Sequence, residues 1–121
     1  MTTGAANKKK GSAFEILLMK HLRDQGLDVE RLRLTGAQDE GDLVVRFDNG
    51  ERLVIEAKSG ALHAAQFVRE AQAETKHYTE HRELPADLVH GVAVVKARGK
   101  GIGDAYVITT LADYLRGHHA R

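Results

Sequence analysis

Asp42, Glu56 and Lys58 stand in the stretch GDLVVRFDNGERLVIEAKSG, residues 41 to 60, where plain core strands would carry apolar residues. Two apolar runs flank Asp48-Asn49-Gly50, so the stretch reads as a hairpin. On its second strand side chains alternate, which sends Val54, Glu56 and Lys58 to one face and Leu53, Ile55 and Ala57 to the other. The position of Asp42 depends on the turn. A two-residue loop, Asn49-Gly50, pairs Asp42 with Ala57 and puts the two carboxylates on opposite faces. A three-residue loop pairs Phe47 with Glu51 and Asp42 with Glu56. Asp-Asn-Gly suits a type I turn closed by a left-handed glycine, so the expectation is the three-residue loop with Gly50 at positive φ.

In that register the β-carbons of Asp42 and Glu56 lie about 5 Å apart. Two carboxylates so close repel unless a cation separates them. Lys58 supplies part of that charge, and a divalent ion with oxygen ligands supplies it better. Mg²⁺ commonly takes one or two carboxylates, waters and a substrate phosphate. The bland alternative is a solvated hairpin in which Lys58 simply neutralises Glu56.

The elements that must position these groups follow from periodicity. Residues 1–10 are polar, end in Lys8-Lys9-Lys10 and lack apolar periodicity, which predicts a flexible basic tail. Phe14, Leu17, Leu18 and Leu22 recur at helical spacing between Ser12 and Gly26, predicting a helix over about 12–25. LDVERLRL alternates as a strand, TGAQDEG is a loop, and the hairpin supplies two further strands. ALHAAQFVREAQAETKHYTEHREL predicts a long helix whose face comprises Ala61, Ala64, Ala65, Val68, Ala71, Gln72, Thr75 and Tyr78. VHGVAVVKA reads as a strand covered on both faces, AYVITT as a fifth strand and LADYLRGHHA as a short last helix. The order α-β-β-β-α-β-β-α, with a crossover through the long helix, predicts an α/β domain: a mixed five-stranded sheet flanked by helices. Residues 11–117 form that single domain and 118–121 a C-terminal tail.

At 121 residues there is room for one domain, and 42% hydrophobic with 29% charged residues is a globular composition. No apolar run approaches a membrane helix and the N-terminus lacks a secretory core, so the expected location is cytoplasmic, in a host cytoplasm if phage-encoded. Without cysteine there is no disulfide, thiolate-bound zinc or thiol nucleophile. The net charge of +1 divides into +3 over residues 1–35, −5 over 36–91 and +3 over 92–121. Basic ends around an acidic middle suit a polyanion at the ends and a cation in the centre.

An aspartate opening one strand, a Glu-x-Lys on the next, a glutamate in the preceding helix and a long helix afterwards resemble the PD-(D/E)XK nuclease superfamily. Within it, GSAFEILLMKHLRDQG, RLRLTGAQDEGDLVV and LVIEAKSG are similar to the small Holliday junction resolvases of archaeal and phage type. Gly41 stands where the motif has proline, and Thr35 where archaeal resolvases often have serine. The resemblance implies a restriction-endonuclease-like fold and Mg²⁺, or Mn²⁺, held by Asp42, Glu56 and the Ala57 carbonyl, with Glu15 completing the shell or holding a second ion. It gives Lys58 the attacking water or the pentavalent phosphorane. Gln72 is a separate case: its register on the long helix points it toward the sheet, where its amide either orients a metal-bound water or carboxylate or is a satisfied core glutamine.

Lys8, Lys9, Lys10, Arg31, Arg33, Thr35, Arg98 and Lys100 are the candidate phosphate contacts, and ARGKGIGD is a basic loop suited to one. The implied activity is Mg²⁺-dependent endonucleolytic cleavage of branched DNA at four-way junctions, by a two-fold homodimer with no membrane association. The competing readings are another nuclease of the same chemistry (exonuclease, restriction-like or RNA-cleaving) and a non-catalytic nucleic-acid-binding module.

Overall fold

The computed structural model describes residues 4–32 and 41–118, with side chains described over 13–32 and 41–117. Its elements are α1 (Gly4–Asp24), β1 (Asp28–Arg31), β2 (Leu43–Arg46), β3 (Arg52–Lys58), α2 (Ala64–His81), β4 (Val89–Val95), β5 (Tyr106–Ile108) and α3 (Leu111–His118), with single 3₁₀ turns before β4 and before β5. The expected order of helices and strands is therefore present. The strands form one mixed sheet in the order β1-β2-β3-β4-β5. Only β3 and β4 run parallel, because α2 carries the chain back between them. The other three pairings are antiparallel.

α1 begins at Gly4, within the segment expected to be a tail. Alanines 5 and 6 and the three lysines are good helix formers, so propensity extends the helix where no apolar periodicity signals it. Phe14 and Leu18 fill the core on this side with Val29, Leu43, Val45, Ile55 and Val94. Leu17, expected on the same stripe, is instead half exposed. On the other side of the sheet α2 covers two groups. Tyr78 packs with Leu32, Val44, Val54 and Val89, and Phe67 with Ala71, Ala93 and Val95. Alternating residues of β4 go to opposite cores, which is why its sequence is continuously apolar.

The hairpin has the register that three-residue closure requires. Leu43 pairs with Ile55 and Arg46 with Arg52. The loop is closed by Phe47 N donating to Glu51 O at 3.0 Å and Gly50 N donating to Phe47 O at 3.1 Å, with Gly50 at φ 92°. Asn49 Oδ1 accepts from Glu51 N at 3.0 Å and fixes the turn. Continuing the ladder one step beyond Leu43–Ile55 brings Asp42 opposite Glu56, on the α2 side.

Candidate active site

Asp42 lies at the start of β2, where the chain leaves the ladder. Its backbone N donates to Ile55 O at 3.0 Å, and its Oδ2 accepts from Ala57 N at 2.8 Å. This bond ties the carboxylate to β3 beside Glu56. Gly41, just before it, has φ 104°, and a Cβ there would stand 2.8 Å from Val54 Cγ1. Proline, fixed near φ −65°, cannot take that conformation. Glycine at position 41 is thus required by this backbone.

Glu56 is 7% exposed, at the centre of the sheet near the C-terminal ends of the parallel strands. Lys58 Nζ stands 3.6 Å from Glu56 Oε1. The same ammonium donates to Glu70 Oε2 from α2 and lies 5.1 Å over the ring of Phe67. Glu70 in turn accepts from Gln66 Nε2 at 2.8 Å. Glu15 reaches the cluster from α1 and is hydrogen-bonded to Asp42. Its Oε2 also accepts from Arg31 Nη2 at 2.9 Å.

The electrostatics follow from crowding three carboxyls in a partly dry place. Burial first, then the hydrogen bond to Asp42 and its charge, raises Glu15 to about 7, against the lowering pull of Arg31. Burial and the charge of Glu56 raise Asp42 to about 6, although Glu15 and the Ala57 N–H pull it down. Burial pulls Lys58 down, but the Glu70 hydrogen bond and the charges of Glu56, Glu70 and Asp42 outweigh it, so Lys58 ends above its ordinary value. Lys58 is therefore a firmly held cation and Glu15 a group that titrates near neutrality.

Asp42, Glu56, Lys58 and Glu15 are brought together. Gln72 is not among them, because it is exposed on α2. The face of α2 that meets the sheet is set by Phe67, Ala71 and Tyr78, at spacings of four and seven, with Glu70 on the same side. Phe67, the largest apolar side chain of the helix, is absent from the periodicity that placed Gln72 inward. Arg31, expected on phosphate, is paired with Glu15. Arg98 and Lys100 are exposed in the β4–β5 connection. Arg33 and Thr35, and the side chains of Lys8, Lys9 and Lys10, lie outside the described residues, as does the tail from 119 to 121.

Sequence reasoning missed Glu70 and Glu74. Glu74 Oε2 is buried without a hydrogen-bond partner among the described residues, and it would lie 3.8 Å from a Cβ at Gly41. The signal for both was their i, i+3 and i, i+7 relation to Phe67.

Among the described residues no three His, Cys, Asp or Glu side chains form a group able to cage a metal ion. The donor set fits the sparser mode in which Mg²⁺ takes two carboxylates and keeps several waters. Asp42 and Glu56 meet that need, since their mutual repulsion is what a divalent cation relieves. Also among the described residues, no helix is long and apolar enough to cross a membrane. No protein-family model and no curated protein matches the sequence.

Proposed function

We propose that the protein is a metal-dependent phosphodiester hydrolase of the PD-(D/E)XK type with a restriction-endonuclease-like fold, acting on branched DNA as a Holliday junction resolvase. One observation carries the reading. The three-residue hairpin puts Asp42 and Glu56 face to face with Lys58 beside them, at the C-terminal edge of the parallel strand pair. Open α/β sheets commonly bind ligands at that edge.

In this reading Asp42, Glu56 and the Ala57 carbonyl would hold Mg²⁺, with Mn²⁺ as its substitute. When bound, the ion polarises the scissile phosphate and makes a coordinated water more acidic. The remaining work belongs to the chain. Lys58 carries its proton throughout, so it serves as a fixed positive charge for the attacking water and the pentavalent phosphorane rather than as a base. Glu70 and Phe67 hold that ammonium in place. Glu15, raised to about 7 in the metal-free protein by burial and by Asp42, stands beside Asp42 where it would complete the metal shell or hold a second ion.

Two opposed cuts in a four-way junction need two sites, hence a two-fold dimer. The exposed Val107, Leu111, Tyr114 and Leu115 of β5 and α3 supply an apolar face for it.

The test is cleavage of a labelled four-way junction beside matched duplex and single strand, with Mg²⁺ or EDTA, using wild type and Glu56→Ala. Paired metal-dependent nicks that the variant abolishes support the reading. Equal digestion of all substrates keeps the hydrolase and removes the junction preference. Tight binding without cutting would make the protein a non-catalytic module.

A further inference from the structure

A groove of about 850 Å³ lies between α1 and the loops that leave the C-terminal ends of β3 and β4. It adjoins the site through the chain itself. Ser59 and Gly60 on its wall follow Lys58 directly, Phe14 precedes Glu15, and Lys96 N donates to Lys58 O at 2.8 Å. The walls combine two chemistries. Leu17, Leu62 and Tyr106 present apolar surface, each about half exposed. Lys96 and Arg98 add two exposed cations, neither with an ion pair or side-chain hydrogen bond among the described residues. Among the described residues no Asp or Glu lines the groove.

Large aromatic and aliphatic side chains left open to water in a small domain call for an occupant. Two cations on the same walls, unpaired among the described residues, favour an anionic occupant. An acidic peptide would satisfy the charge but leave the flat ring of Tyr106 unused. A duplex would satisfy the charge but keeps its bases stacked away from Leu62 and Tyr106. A single strand offers both parts at once, a phosphate backbone and open base faces, and aromatic-plus-basic grooves bind such strands.

We infer that this groove binds an unpaired nucleic-acid strand, with a base against Tyr106 flanked by Leu17 and Leu62 and phosphates on Lys96 and Arg98, and leads it to the Asp42–Glu56–Lys58 site. The inference rests on the nuclease reading for what the strand is led to, whereas the binding itself is independent of it. It narrows the substrate to nucleic acid with unstacked nucleotides next to the cut, as at a branch point, a flap or an end.

The test is fluorescence anisotropy of a labelled oligothymidylate in EDTA, so that no cleavage interferes. Tyr106→Ala should weaken binding about tenfold or more, and Tyr106→Phe, which keeps the aromatic face, should bind like wild type. The double variant Lys96→Ala/Arg98→Ala, both positions exposed, should lower the slope of log K against log salt by about 1.4, roughly 0.7 per phosphate contact. Lys76→Ala, on the exposed side of α2, should change neither quantity.

Unchanged affinity in Tyr106→Ala, or a loss in Lys76→Ala equal to that of the double variant, overturns the groove. So does a Tyr106→Ala that shifts the sedimentation coefficient and not the oligonucleotide affinity, because the face then belongs to a second copy of the chain. If the groove variants behave as expected and the wild type never cuts with Mg²⁺, the groove stands and the nuclease reading falls. If the wild type cuts while the variants bind normally, the groove falls and the nuclease stands.

Discussion

Replacing Asp42 with Asn should stabilise the protein at alkaline pH while removing a carboxylate that the proposed chemistry needs. Burial and the neighbouring Glu56 charge lift the Asp42 carboxyl from 3.8 to about 6. A carboxyl raised in the folded state binds its proton more tightly there than in the unfolded chain. Its contribution to stability is therefore fully present below about 3.8 and is lost as pH rises through about 6. At about 1.4 kcal/mol per pH unit the full interval corresponds to about 3 kcal/mol. Asp42 is only partly buried, and solvent screening reduces this to roughly 1–2 kcal/mol. Asparagine keeps an oxygen to accept the Ala57 N–H and carries no charge to repel Glu56. Urea unfolding in EDTA should find the variant more stable than wild type by roughly 1–2 kcal/mol near pH 8, with most of the gap gone near pH 4. An equal gap at both pH values, or a variant less stable near pH 8, would refute the claim that these carboxyls are held together against their repulsion.

Three further outcomes follow from the same geometry. Gly41→Pro should cost about 3 kcal/mol or more in chemical denaturation, because φ 104° is closed to proline. Lys58→Met should leave the melting temperature within a few degrees but lower single-turnover cleavage about 100-fold or more; retained activity would remove the ammonium from the reaction. Phe67→Ala should cost about 3–5 kcal/mol by thermal or urea unfolding, since the ring is 5% exposed between α2 and the sheet, while Phe67→Leu should cost less than about 1.5 kcal/mol.

The hairpin register was legible in the sequence because its information is local. Asp48-Asn49-Gly50 admits few turns, and the count of residues then fixes that Asp42 meets Glu56. The crossover and the parallel β3–β4 pair were legible for a similar reason, since a long helix between two apolar runs leaves few other connections. The face of α2 was not. Small alanines on several sides of that helix let a stripe through Gln72 look complete without Phe67, and Phe67, one large residue, decided the packing. Glu70 and Glu74 were hidden by the same ambiguity, because an acidic residue in a helix reads as solvated until its partners across the sheet are known. The pairing of Arg31 with Glu15 joins residues sixteen apart on different elements, and no local pattern foretells it. Likewise, the groove combines residues from α1, two loops and β5 and exists only in the fold.

The central claim is that Asp42 and Glu56 are placed to share a divalent cation, and the most direct measurement is thermal unfolding against Mg²⁺ concentration for wild type and Glu56→Gln. Ligand that binds only the folded state stabilises it by about 2.7 kcal/mol at a hundred times its dissociation constant. The wild-type melting temperature should climb with Mg²⁺ and that of Glu56→Gln should stay flat. A flat wild type, or an equal rise in both proteins, would contradict the account.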